Sequence, residues 1–567
     1  MTNNYSELSK EELLKTIEKL ESRKKYGLIW DEERTREQFE KESDNALPVL
    51  KEIRSKEILT DKDGPINVLI EGDNYHALSV LNYTHQGKID VIYADPPYNT
   101  GSNSWKYNNN YVNSDDAYRH SKWLSFMGKR LRLAKSLLKE DGVFVITIDD
   151  YELFTLGMLT DEIFGEANRI GIIAIEVNPR GRTTNKFFAT SHEYVLFYAK
   201  NAELASIYNP PLTEEQAEVF KLEDEVSRYR LLPFRRSGGL STPEERPNSY
   251  YPIYYNKNNQ IISIDKNKSS IAIYPVDSSG KKRVWRQTRP SLLEAIKRGD
   301  MVIKNNKKGY TVLMKDRIKE GRKPKTIWID PLYDASSHGT VLLQKILGKR
   351  KAFDYPKSLY AVSGVLSVLL QNKKDATILD FFAGSGTTGH AVLYLNAKDK
   401  ANRKFILCTN NENGICEEVC YPRIENVIKG YKHKDNNNKG LGGNLKYFKT
   451  SFVKRVISKD SLKIRITQEC TEMLCLREGI YDEVKKIKEY RIFRQNDRIM
   501  GVYYSLERGE LKSIKKDLDK MKGEKTLYCF TLDPLGLDKK DFQDWEGVML
   551  EPIPQKILDI YESIYEY

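Results

Sequence analysis

Six mostly apolar residues, Ile89 to Ala94, run directly into Asp95-Pro96-Pro97-Tyr98. A β-branched run that stops at two prolines is a buried strand handing over to a rigid loop at the edge of a sheet, because proline has no N–H to continue a ladder and fixes its own φ. The fold must therefore present an acidic side chain, two carbonyls held by prolines and an aromatic ring at adjacent positions. Hydrogen-bond acceptors beside a stacking plate suit a planar base carrying an exocyclic amino group. Over four residues an ordinary strand-to-turn junction reads the same way, so the remainder of the chain has to decide.

Strand and helix patterns alternate around this stretch. Ile66 to Ile70 is a strand candidate leading into Glu71-Gly72-Asp73-Asn74, a helix is expected from Arg119 to Leu138, and Gly142 opens the strand Val143 to Ile148, which ends in Asp149-Asp150. Further strands are expected around Ile170 to Val177 and Tyr194 to Tyr198. The alternation is lost between 201 and 345 and resumes with Thr377 to Phe382, the turn Ala383-Gly384-Ser385-Gly386-Thr387-Thr388 and a helix from Gly389 to Asn396. Such a pattern predicts a parallel, doubly wound, Rossmann-like α/β sheet with ligands at the carboxyl ends of its strands. A Gly-x-Gly turn between strand and helix lets backbone N–H groups approach a ligand closely, and would serve any nucleotide-like cofactor. About 26 residues beyond the glycines, after the strand Arg403 to Cys408, Glu412 stands where a ribose diol is held in the Rossmann arrangement. The same spacing fits a solvated loop acid.

The expected organisation is a charged helical segment over 1–60, in which Leu13, Leu14, Ile17 and Leu20 share a helix face, then a catalytic domain in two pieces, 61–200 and 346–440. An inserted recognition domain occupies 201–345, and a small α/β domain with a βαβ unit occupies 441–567, a region suited to dimer or partner contact.

A chain of 567 residues can hold about three or four domains. It has no apolar run near the roughly 20 residues a membrane helix needs, and its first residues start no signal peptide, which predicts a soluble, cytoplasmic protein. Six cysteines are too few and too irregular for a disulfide framework. Cys416 and Cys420 fall on one helix face without a second Cys/His pair, so structural thiols and no metal site are expected.

The net charge of +12 is local. Between Lys281 and Lys325 there are 16 Lys and Arg against 4 Asp and Glu, whereas the rest of the chain balances at 76 of each sign. A polyanionic partner would meet this segment: Lys281, Lys282, Arg283, Trp285, Arg286, Lys307 and Lys308 are the candidates, the cations for phosphate and the indole for stacking. Solvated lysine-rich loops read alike.

The order of motifs, Asp-Pro-Pro-Tyr about 290 residues before Phe-Ala-Gly-Ser-Gly with the expected recognition domain between them, resembles the β-class of DNA amino-methyltransferases. Longer strings resemble the modification (Mod) subunits of Type III restriction systems: Ile70-Glu-Gly-Asp-Asn74, Asp95-Pro-Pro-Tyr-Asn-Thr-Gly101, Arg119-His-Ser-Lys-Trp-Leu-Ser-Phe-Met127, His192-Glu-Tyr194, Tyr355-Pro-Lys357 and Asp380-Phe-Phe-Ala-Gly-Ser-Gly-Thr-Thr388. The likeness runs from about 20 to 430.

The resemblance implies that Asp95 and the Pro96 carbonyl accept from the amino group, with Pro97 stiffening the loop and Tyr98 stacking on the base. It implies that Asp73, Asp380, Phe382, Gly384, Gly386, Thr387 and Glu412 line a pocket for S-adenosyl-L-methionine, with Lys357 closing it. Asp73 is also placed to cap the helix that follows it. His192 reads as structural. An aspartate rather than a serine before the prolines favours adenine N6 over cytosine N4. The resemblance further implies duplex DNA as substrate, self-pairing into a homodimer and a Type III restriction (Res) helicase-nuclease partner; a solitary methyltransferase is the alternative.

Overall fold

The computed structural model describes residues 46–567 apart from 62–63, 108–109, 114–115, 117, 182–186, 211, 213, 307–308, 435, 457 and 566–567, together with 9–10, 13, 15, 28 and 30. Leu14, Ile17, Leu20, Lys307 and Lys308 thus lie outside the described residues. The chain divides into two compact units, one formed by Met1–Tyr208 with Lys325–Tyr567 and the other by Asn209–Pro324.

The first unit is organised on an eleven-stranded sheet. In chain order its strands are β1 (Ala46–Glu52), β2 (Ile58–Leu59), β3 (Ile66–Glu71), β4 (Ile89–Ala94), β5 (Leu138–Ile148), β6 (Arg169–Glu176), β7 (His192–Ala199), β8 (Ile327–Trp328), β9 (Thr377–Asp380), β10 (Lys404–Thr409) and β11 (Asn444–Lys454). They lie in the order β1-β11-β3-β10-β9-β4-β5-β7-β6-β8, with β2 paired to β11 off this path. From β11 to β5 the neighbours are parallel. The sheet as a whole is mixed rather than purely parallel, because β1 joins β11 and β7 joins β5 and β6 in antiparallel ladders.

Period-two alternation sends successive strand residues into two cores. Ile92, Ala94, Phe144, Ile146 and Leu379 face one core with α1 (Asn74–Thr84), α2 (Arg119–Leu137) and α3 (Leu153–Phe164). Val91, Tyr93, Val143, Val145 and Ile378 face the other with α4 (Leu359–Leu370), α5 (Thr387–Asp399) and α6 (Tyr421–Lys429). Near-continuous apolar strands such as Ile89–Ala94 follow from burial on both faces.

The register of β9 against β4 matters most for function. Ile378 pairs with Val91 and Leu379 with Ile92, so the ends of these strands are level. The loop opened by Asp95 and the turn after Asp380, far apart along the chain, therefore leave the sheet side by side.

Several boundaries differ from the sequence reading. Residues 46–52 and 58–59 are strands, not charged helix: Ala46-Leu-Pro-Val-Leu50 gains more by pairing with β11 at the sheet edge than by coiling, and Pro48 is tolerated because the strand is at that edge. The compact second unit is narrower than 201–345, since Ile327–Trp328 pairs with β6 as part of the main sheet. The last 120 residues are not a separate compact unit. Their first strand is β11, and Met473, Leu474, Tyr481, Met500 and Val502 share a core with α1. Beyond it lies a five-stranded sheet of Asp482–Lys486, Tyr490–Gln495, Arg498–Tyr503, Glu524–Phe530 and Val548–Ile553, in that order, with Leu511–Asp519 making the expected βαβ crossover.

The second unit holds a four-stranded antiparallel sheet, a three-stranded sheet and the helix Arg289–Lys297 around a small core of Phe234, Tyr251, Ile253, Trp285, Leu292 and Val312.

Candidate active site

Beyond β4 the Asp95-Pro96-Pro97-Tyr98 loop is held at Asp95, Pro97 and Tyr98. Asp95 Oδ1 accepts from the Thr147 hydroxyl of β5 at 2.6 Å, and Lys357 Nζ lies 3.2 Å from the same oxygen. No described residue donates to Asp95 Oδ2, and the side chain keeps 26% of its surface. The Pro97 carbonyl accepts from the buried Trp123 indole at 2.7 Å. Asn99, fully buried at φ 56°, ends the loop by donating to Glu152 at 2.5 Å, an oxygen that His120 also approaches at 2.6 Å. Asparagine tolerates this left-handed geometry better than most residues. One acceptor oxygen of Asp95 is thus anchored and the other is presented.

Tyr98 is fixed through its hydroxyl, which donates to Glu193 Oε2 at 3.1 Å and accepts from Lys357 Nζ. The Lys357 ammonium lies 2.5 Å from Glu193 Oε2 and 4.6 Å from the Tyr98 ring centroid. Burial alone would lower the Lys357 pKa, but Asp95 and Glu193 outweigh it and hold it above its ordinary value. Burial, with the charges of Asp95 and Glu193, pushes the Tyr98 hydroxyl well above the usual phenol range. Lys357, expected to close the cofactor pocket, instead sits on the catalytic loop. It precedes Ser358, the N-cap of α4, and two carboxylates draw its ammonium to the loop.

Alongside, the turn after β9 takes the left-handed backbone that its glycines allow. Gly384 and Gly386 take left-handed φ of 48° and 77°, and a Cβ on either would lie 3.2 Å from the Phe353 ring or 3.1 Å from Cys420 Sγ. Gly386 is the N-cap of α5, whose first N–H groups have no partner within the helix. Asp380 is buried and accepts from Phe382 N at 2.9 Å and Thr388 Oγ1 at 2.5 Å; burial raises its carboxyl to about 7, and nearby Asp95 adds to the effect. Asp73 caps α1 through Tyr75 N at 2.8 Å while its side chain stays 39% exposed. Glu412 is exposed just past β10.

Sequence reasoning missed the parts that brace this turn. Buried Arg130 of α2 donates to Asn74 at 2.5 Å, Asn74 donates to the Phe381 carbonyl at 2.9 Å, and Phe126 meets Phe382 at 5.8 Å between centroids. Below the glycines, Arg423 of α6 is fully buried, lowered to about 10 by burial, and donates to Ser385 Oγ at 3.0 Å and Thr387 Oγ1 at 2.7 Å. Thr387 is therefore a support of the turn. A turn of two glycines that opens a helix, with the buried Asp380 carboxyl beside it and the Asp73 and Glu412 carboxylates at the ends of the neighbouring strands, fits a zwitterionic nucleoside cation such as S-adenosyl-L-methionine. Cys416 and Cys420, which share a helix face, are buried, and burial raises both thiols.

In the second unit, Lys281, Lys282 and Arg286 are exposed. Arg283 is engaged by Asp277 at 2.8 Å and by Ser241 at 3.0 Å. Trp285 is not available for stacking on a ligand: it is 2% exposed, packs on Phe234 at 5.4 Å, and donates its indole N–H to the Tyr251 carbonyl at 2.8 Å. The small core of this unit needs a large side chain at that position more than its surface does.

A sequence-family model described as DNA methylase matches residues 89–419, more than half of the chain and both loops of the site. The chain belongs to this family. Among its relatives are the Type III restriction-modification enzyme EcoPI Mod subunit of Escherichia phage P1, 34% identical over 61% of this chain and 58% of that protein, and the Type II methyltransferase M.KpnI of Klebsiella pneumoniae, 34% identical over 62% of this chain and 82% of that protein. The Type III StyLTI Mod subunit of Salmonella typhimurium is 27% identical over 65% of this chain and 57% of that protein. The match thus spans little more than half the length of either Mod subunit. Among the described residues, no helix is long and apolar enough to cross a membrane.

Proposed function

We propose that this chain methylates the N6 amino group of adenine in duplex DNA, using S-adenosyl-L-methionine, as the modification and recognition subunit of a Type III restriction-modification system. The observation that supports the reading is the level pairing of β4 and β9, by which the Asp95 loop and the glycine turn leave the sheet as neighbours.

Bound at that turn by Gly384, Gly386, Asp380, Asp73 and Glu412, the cofactor would supply an electrophilic methyl group. The chain's own residues prepare the nucleophile. An adenine amino nitrogen is weakly nucleophilic because its lone pair is delocalised into the ring. Asp95 Oδ2 and the Pro96 carbonyl, accepting its two hydrogens, favour pyramidal geometry and build negative character on nitrogen, which is electrostatic preorganisation with positioning. Asp95 stabilises the positive charge that develops on the amino nitrogen and would accept the proton which that nitrogen loses once methylated, without forming a covalent bond to the base. The target base reaches these acceptors only when it is turned out of the duplex, and stacking on Tyr98 offsets part of the few kcal/mol that this costs.

Asp95→Ala is expected to abolish transfer while cofactor binding, read by calorimetry, is largely kept; Tyr98→Ala is expected mainly to raise the DNA concentration required. Labelled methyl transfer to duplex DNA, compared with RNA and protein, tests the substrate class, and retained transfer in Asp95→Ala would refute the site. Single-molecule sequencing of host DNA with and without the gene reports the motif and the modified atom. The Mod likeness also supports a homodimer and a restriction partner, both tested by co-purification from the native host.

A further inference from the structure

Glu193 lies within the His192-Glu-Tyr194 string but the resemblance gives it no role, yet both the Tyr98 hydroxyl and the Lys357 ammonium bond to it. We propose that Glu193 and Lys357 form a positioning pair in which Glu193 holds the Lys357 ammonium off the catalytic carboxylate, fixing Asp95 and Tyr98 without consuming the acceptor strength of Asp95. This inference rests on the amino-methyltransferase reading above.

The geometry assigns each donor. An ammonium has three hydrogens, and those of Lys357 have three partners: Glu193 Oε2 at 2.5 Å, Asp95 Oδ1 at 3.2 Å and the Tyr98 hydroxyl. Of the two carboxylates, Glu193 is the nearer to the ammonium and so its stronger partner. The same Glu193 oxygen accepts the Tyr98 hydroxyl at 3.1 Å. One side chain therefore sets both the position of the ammonium and the pitch of the stacking ring. Glu193 can do so because β7 runs antiparallel to β5, with Tyr194 opposite Ile148, so that the first residues of β7 arrive where the parallel strands end.

Removing either member has a distinct consequence. Without the Glu193 charge, Lys357 closes on Asp95 and withdraws electron density from the carboxylate that must accept from the substrate, and Tyr98 loses its anchor. Without the Lys357 charge, Asp95 and Glu193 become like charges in a poorly solvated site, and one of them takes up a proton. The other groups facing the cluster are Tyr93 of β4, Thr147 and Asp149 at the end of β5, and Asp380 of β9, none of which brings a positive charge.

The test uses the full chain, labelled methyl transfer to unmethylated bacterial genomic DNA over roughly pH 6 to 9, and calorimetric binding of the methyl donor. Glu193→Gln, which keeps shape, is expected to lower kcat by about tenfold or more with donor affinity unchanged. Lys357→Met is expected to move the acid limb of kcat upward by about one pH unit or more. Lys357→Arg should restore part of the rate. The double variant Glu193→Gln/Lys357→Met should return the acid limb towards its original position while the rate stays low, because the like-charge pair is gone. A fully active Glu193→Gln, or a double variant with its acid limb as displaced as that of Lys357→Met, overturns the proposal. Wild-type protein inactive on DNA would count against the functional reading instead, so the two failures are separable.

Discussion

The carboxyl of Asp380 ends a strand with its charge unfavourable. Burial raises it from 3.8 to about 7, so the folded chain holds a proton there that an unfolded chain releases. The linkage sign follows: this group favours the folded state fully below the unfolded value and loses that contribution as pH rises through about 7. A cationic cofactor reverses the preference, because it interacts best with the ionised form. Affinity for S-adenosyl-L-methionine is therefore expected to rise with pH up to about 7 and then level, with proton release on binding below that point. Calorimetry in two buffers of different ionisation enthalpy measures the released proton, and Asp380→Asn should lose the release. Persistence of the same release in Asp380→Asn would assign it to another group, such as Asp149, which burial raises to about 6. Single residues of this kind were partly legible in the sequence. Asp95, Tyr98, Gly384 and Gly386 announce themselves because proline and glycine restrict the backbone around them. Glu193 and Thr147 do not, since nothing local to an acid or a threonine in a strand says which loop it will meet.

Strands and turns were more legible than their partners. Ile89–Ala94, Ile66–Glu71 and Lys404–Thr409 read as buried strands from apolar content alone, and the structure has them within a residue or two. What local pattern could not supply was direction: β1 and β7 turn antiparallel because of what lies beside them, and that is why Glu193 reaches the site from the amino end of its strand. The turn after β9 yields a sharper expectation. Gly386→Ala places a methyl 3.1 Å from Cys420 Sγ at a φ of 77°, so both space and backbone oppose it. A cost of about 1–2 kcal/mol in stability is expected from the backbone alone. Donor affinity should fall further, because α5 begins at this residue and its N-terminal N–H groups shift with it. A thermal melt and a donor titration separate the two effects. Unchanged donor affinity at reduced stability would mean that the turn supports the fold without touching the ligand.

At the scale of the whole molecule the question is where the polyanion is met. The surplus of positive charge lies almost entirely in one segment of the second unit, but the structure divides that segment by role. Arg283 is spent on Asp277 and Trp285 on the core, so replacing them tests folding rather than recognition; Trp285→Ala should cost about 3–5 kcal/mol as a core deletion. Lys281, Lys282 and Arg286 are exposed and fit phosphate contact. Each cation that neutralises a phosphate contributes about 0.9 to the slope of log affinity against log salt. Replacing these three by alanine is expected to flatten that slope by up to about 2.7, with donor affinity and kcat at saturating DNA unchanged, because none of them belongs to the loops around Asp95 and Gly384. The measurement is a salt series of DNA binding for the wild type and the triple variant. A slope that does not move would place the phosphate contacts on other cations and leave this segment as a solvated surface.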